Sequence, residues 1–90
     1  MYCLASTIRL RTLEGNGSCW AFNIATGDHF ELNHTGFSLL REIEAGTHLS
    51  EIAAALAAEY NVSLPDAETD IHEALGAFER DGLITKEKAP

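Results

Sequence analysis

Four histidines, two cysteines and fourteen carboxylates are the side chains of this chain that can ligate a metal, attack a carbonyl or move a proton. Their spacing supports none of these chemistries. His29, His34, His48 and His72 form no HxH or HxxxH pair and have no cysteine at ligand spacing, so they read as surface histidines. Cys3 and Cys19 lack a CxxC spacing and read as reduced thiols of a cytosolic protein. Cys19, in a strand beside Trp20, reads as a small core residue, because no neighbour in sequence activates it as a nucleophile. The acidic pairs Glu42/Glu44 and Asp66/Glu68 fall on solvated helix faces, whereas general acid/base work needs a cleft. There is no GxSxG, P-loop or GxGxxG, and Gly15-Asn16-Gly17 lacks the continuation of a phosphate cradle. Trp20 and Phe22 read as core rather than as a stacking platform. The expectation is therefore a non-catalytic protein, with no metal and no cofactor.

The remaining chemical signal is charge. Fourteen acids against six bases give a net charge of −8, and the acids concentrate in the second half of the chain. Such a surface repels phosphate backbones and favours neutral or basic partners, while also keeping a small domain in solution. Ninety residues make one small domain, 1–90, with a thin core expected over about residues 8–85. No apolar run approaches the roughly 20 residues that span a bilayer. MYCLASTIRLRTL has no basic region followed by an apolar block, so neither a membrane nor a secretory signal is expected, and the location reads as cytoplasmic.

Two regimes position these side chains, strands first and helices after. Ile8-Arg9-Leu10-Arg11 alternates as a half-buried strand does, and Gly15-Asn16-Gly17-Ser18 is a hairpin turn. Cys19 to Ile24 follows, with Trp20, Phe22 and Ile24 on one face. Thr26-Gly27 turns the chain into a third strand, Asp28 to Leu32, where Phe30 and Leu32 oppose His29 and Glu31. At Asn33, a good N-cap, the period becomes helical: Phe37, Leu40 and Ile43 repeat until Ala45-Gly46. Thr47 is expected to cap a second helix with the stripe Leu49, Ile52, Ala53, Leu56 and Tyr60. Pro65, Asp66 and Glu68 suit the first turn of a third helix, whose stripe is Ala67, Ile71, Ala74, Leu75 and Phe78. Leu83-Ile84-Thr85 is too short for a full strand and reads as a small wing or tail. The fold class is α+β: a three-stranded antiparallel β-meander followed by three helices, winged helix-turn-helix-like.

That outline raises one alternative, an acidic winged-helix DNA-binding regulator. Its reading helix would carry Asp66, Glu68, Asp70, Glu73, Glu79 and Asp81 against Arg80 alone, although such a helix normally brings Arg or Lys to the DNA. Nucleic acid is therefore not an expected partner. A small enzyme is a third and weaker reading.

TGDHFELN, then TGFSLLREIEAGTHLSEIAAALAAEYNVS, then DAETDIHEALGAFERDGLI resembles the pyrroloquinoline-quinone biosynthesis protein D (PqqD) family over about residues 8–85. The matching points are Thr26-Gly27 before an aromatic strand, Leu32-Asn33, Gly46-Thr47, Tyr60-x-Val62, Asp70-Ile71 and Gly82-Leu83-Ile84. The resemblance implies a RiPP recognition element: a domain that binds the leader of a ribosomally made precursor peptide and presents it to a modifying enzyme such as a radical SAM protein, a cyclase or a leader protease. It also implies that the leader adds as a strand against Asp28–Leu32 and rests on the third helix. A free sheet edge is a template for an incoming chain, which agrees with that expectation.

The candidate peptide-binding residues are Asp28, His29, Phe30, Glu31 and Leu32 on the strand, with Asp70, Ile71, Glu73, Ala74, Ala77, Phe78 and Asp81 on the helix. On a wheel of about 100° per residue, Asp70, Glu73, Ala77 and Asp81 flank the buried stripe on one side, with Glu68, His72 and Glu79 on the other. The first flank is the better groove wall: Ala74 and Ala77 leave room for a leader side chain, and the carboxylates can meet Lys or Arg. Close helix packing also explains the two alanines, and Asp70 can equally brace a nearby amide. A monomer or weak homodimer is expected, since the same free edge can pair two copies.

Overall fold

The computed structural model describes residues 2–13, 15 and 17–86. In chain order these form β1 (Tyr2–Leu4), β2 (Ile8–Thr12), β3 (Cys19–Asn23), β4 (His29–Leu32), α1 (His34–Glu44), α2 (Leu49–Tyr60), α3 (Leu64–Arg80) and β5 (Ile84–Lys86). The expected meander is the antiparallel sheet β2-β3-β4, followed by the three expected helices. Gly27, at φ +82°, makes the tight turn into β4. Asn16 of the predicted Gly15–Ser18 turn lies outside the described residues.

The ends of the chain add a second sheet that periodicity did not reveal. β1 pairs antiparallel with β5, Tyr2 opposite Lys86 and Leu4 opposite Ile84. The expected tail is thus a paired strand, and the packed region reaches back past Ile8 to Tyr2 and Leu4. Three residues are too few for an alternating pattern; Ile84, at 2% exposure, is held by contacts distant in sequence.

The core lies between the inner face of β2-β3-β4 and the helices. Ile8, Leu10 and Ala21 meet Leu39, Leu40 and Ile43 of α1, Ile52 of α2, and Ile71, Leu75 and Phe78 of α3. One sequence expectation fails here. The inner face of β3 carries Cys19 and Ala21, at 3% and 0% exposure, whereas Trp20 and Phe22 are only half-buried on the outer face and Ile24 is 62% exposed. Alternation fixed the two faces correctly, but size misassigned them. Ala21 lies in the closely packed cluster with Leu39, Leu40 and Ile43 of α1, where a small side chain fills the place.

Asn33 caps α1, its side chain accepting from the Gly36 N–H at 2.7 Å, and Ser63 caps α3 by accepting from the Asp66 N–H at 3.2 Å. The cap of α2 is His48 rather than Thr47, and it makes no side-chain cap bond. The Thr47 hydroxyl is drawn the other way, donating to the Glu42 carboxylate at 2.7 Å.

Candidate functional site

The two outer edges of the sheet differ, and the pairing register shows how. In an antiparallel ladder, pairs that exchange main-chain hydrogen bonds alternate with pairs whose groups point away from each other. The Asn23 N–H donates to the Asp28 carbonyl at 2.8 Å, so Ala21/Phe30 and Cys19/Leu32 are also bonded pairs. Phe22/His29 and Trp20/Glu31 are then the non-bonded ones. The N–H and C=O groups of His29 and Glu31 consequently face outward along β4, and no described residue bonds them.

On β2 the Ile24 N–H donates to the Thr7 carbonyl at 2.9 Å and the Leu13 N–H to the Ser18 carbonyl at 2.8 Å, so the main-chain groups of Ile8 and Leu10 face outward. There the Ile8 N–H and the Ile8 and Leu10 carbonyls are occupied. The Ile8 N–H donates to Ala5 at 3.0 Å, Arg9 Nη1 donates to the carbonyls of Ser6 and Ile8 at 2.9 and 3.0 Å, and Arg11 Nη1 donates to the Leu10 carbonyl at 2.8 Å. Charged side chains folded over an edge blunt it against strand pairing. β2 is guarded and β4 is bare.

Beside the bare edge runs a groove of about 900 Å³. Nine of the twelve candidate residues line it: Phe30, Glu31 and Leu32 from β4, and Asp70, Ile71, Ala74, Ala77, Phe78 and Asp81 around α3. The helix flank bearing Asp70, Ala77 and Asp81 is therefore the one that faces β4 across the gap. Asp28, His29 and Glu73 are not brought into it. The Asp28 carboxylate accepts from the Thr26 hydroxyl at 2.9 Å within the turn, and Glu73 is exposed. His29 stacks on the outer face of the sheet, 5.5 Å from Trp20 and 6.1 Å from Phe22. Asp70 makes no hydrogen bond or ion pair among the described residues, so it braces no amide there.

The groove extends further than the strand and third helix, along α1 and α2. Thr35 and Tyr60 close one part of it with a hydroxyl–hydroxyl bond of 3.0 Å, and Leu39, Ile52, Ala55 and Leu56 supply apolar wall. Tyr60, expected on the buried stripe of α2, is 51% exposed and reaches across to α1. The spacing Glu51, Ala55, Glu59 on one side of that stripe was the available signal for this wall. Gly36 fits the floor: a Cβ there would come within 3.2 Å of Phe78 Cζ and 3.0 Å of Asn33 Oδ1. Six carboxylates line the groove (Glu31, Glu42, Glu51, Glu59, Asp70 and Asp81), and no Lys or Arg does. Such a lining suits an apolar ligand flanked by cations and disfavours a polyanion.

Tertiary structure also joins Cys19 to His34, Sγ to Nδ1 at 3.8 Å, a pairing no sequence spacing announced. Cys19 is buried, and the contact is a weak hydrogen bond of its sulfur with the imidazole.

Comparison with known proteins bears directly on this arrangement. The family described as coenzyme PQQ synthesis protein D (PqqD) matches residues 19–84, which run from β3 through α3 into β5. This chain belongs to the PqqD family. No curated protein matches it. Two solved structures share the PqqD-like fold. One is a lasso peptide synthetase B1 complexed with the leader peptide, 22% identical, TM-score 0.83, covering 94% of this chain and 98% of that one. The other is TbiB1 in complex with the TbiA(beta) leader peptide, 23% identical, TM-score 0.82, covering 97% and 99%.

Proposed function

We propose that this PqqD-family chain binds the leader of a ribosomally made precursor peptide by strand addition to β4 and presents it to a modifying enzyme, with no chemistry of its own. The carrying observation is the bare main chain of His29 and Glu31 running beside the groove against α3. An extended peptide laid there meets two donors and two acceptors on one side. Its alternate side chains point between Phe30, Leu32 and the small residues Ala74 and Ala77. Main-chain bonds at about 1 kcal/mol each offset only part of the cost of ordering the guest, about 1–2 kcal/mol per residue, so net affinity and selectivity come from buried apolar side chains at about 1.5–3 kcal/mol each. Basic leader residues gain from the six carboxylates, which also weigh against the DNA-binding alternative. Leader-bound proteins of the same fold support the reading. A radical SAM protein, a cyclase or a leader protease is the kind of enzyme that would receive the bound leader.

The test is a backbone NMR titration with the leader of a candidate precursor. Shifts concentrated in residues 28–32 and 67–81 are expected, with slowed exchange of the His29 and Glu31 amides on binding. Saturable binding whose shifts avoid β4 refutes strand addition.

A further inference from the structure

The outer face of β2-β3-β4 carries two ordered rows, of which leader binding uses only the β4 members, His29 through its main chain and Glu31 at the groove rim. Across the three strands they are Arg11, Trp20, Glu31 and Arg9, Phe22, His29. The aromatic rings contact one another, with Trp20 and Phe22 stacked at 6.2 Å and His29 tilted against both. Exposed Ile24 extends this surface at one end and exposed Leu13 at the other. No described helix or strand covers it, because the helices occupy the opposite face and β1 pairs with β5. Neither arginine meets a carboxylate among the described residues; each bonds only main-chain carbonyls. The indole Nε1 of Trp20 is covered yet has no hydrogen-bond partner among the described residues.

We infer that this face binds a second copy of the same chain, sheet against sheet. Charge complementarity within the rows selects this partner. A twofold axis lying in the interface, parallel to the strands, sets β2 over β4 of the partner subunit. Arg11 then opposes the partner subunit's Glu31 on both sides of the axis, and the Trp20 and Phe22 rings meet their own copies. The other in-plane twofold stacks β2 on β2 and arginine on arginine, so the charges select one arrangement. Aligned packing of two twisted sheets accommodates it, and the interface is closed and isologous. The β4 edge stays open at the side, so the leader reading and this one stand or fall separately.

Size sets the strength. Three strands about 4.8 Å apart and five residues at about 3.4 Å each cover roughly 250 Å² of projected face, well under the ~800 Å² per partner of a standard interface. A weak dimer is expected, with a Kd of about 0.1–1 mM.

Trp20 is the single tryptophan of the chain, so its signals report this face directly. NMR spectra and sedimentation of the full chain from about 10 μM to 2 mM should show concentration-dependent shifts of the Trp20 indole N–H and of Phe22 and His29, with mass rising toward a dimer. R11E and E31R should each weaken association about tenfold, and R11E/E31R should restore it. A chain that stays monomeric with an unmoved Trp20 signal overturns the inference and leaves the face to a different protein. Association insensitive to R11E but abolished by saturating leader also overturns it, since that dimer runs through β4.

Discussion

Glu31→Pro separates the edge of the sheet from its interior. The alternation on β4 points the Glu31 N–H away from β3, so a proline at 31 removes a donor the fold does not use. Phe30→Pro removes the N–H that faces Ala21 in the ladder and serves as the destabilised control. In the leader complex the loss at 31 is one net hydrogen bond, about 1 kcal/mol. A leader carbonyl also goes unpaired beside the groove, at about 1–3 kcal/mol. The sum, about 2–4 kcal/mol, corresponds to roughly 30-fold to several hundred-fold weaker binding. Calorimetric or anisotropy titration with the leader measures it, and thermal unfolding checks that E31P stays folded. A folded E31P that binds within about threefold of the parent refutes the register argument and with it strand addition at β4.

Ala77→Leu fills the gap between α3 and β4 and is expected to weaken leader binding more than tenfold (about 1.4 kcal/mol) with circular dichroism unchanged; equal affinity would move the anchor pocket elsewhere. R9A/R11A uncovers the Ile8 and Leu10 carbonyls on β2, so calorimetry should report a second, weaker leader equivalent, and a stoichiometry fixed at one denies the guarding role. Ser63→Ala removes the cap of α3 and should cost about 1 kcal/mol, lowering Tm by about 4–8 °C. Gly36→Ala forces Phe78 or Asn33 to give way at the groove floor, and the leader affinity of the folded variant should fall.

Much of the fold was written in local pattern. Alternation over Ile8–Arg11 and Asp28–Leu32, glycine in the Thr26-Gly27 turn, the cap at Asn33, and the 3.6-residue stripes of the helices are each decided within a few residues of chain. The two flanks of α3 were legible too, by helical geometry, but that the flank with Asp70, Ala77 and Asp81 faces the groove was decided by the tertiary structure. The inward side of β3 was not legible. Trp20 and Phe22 outrank Cys19 and Ala21 in size and aromatic surface, yet the helices cover the face that carries the small pair, and which face they cover is settled only in the assembled molecule.

The same division holds for the edge, the walls and the ends. From the sequence alone came a meander followed by three helices, an acidic second half and a short strand suited to pairing with a guest. Tertiary structure alone decided that Arg9 and Arg11 close one edge while His29 and Glu31 leave the other open. It also brought α1 and α2 to the groove and joined Tyr2–Leu4 to Ile84–Lys86. The physical reason is range: periodicity and capping are set between residues three or four apart, whereas an open or occupied edge depends on which distant groups arrive beside it.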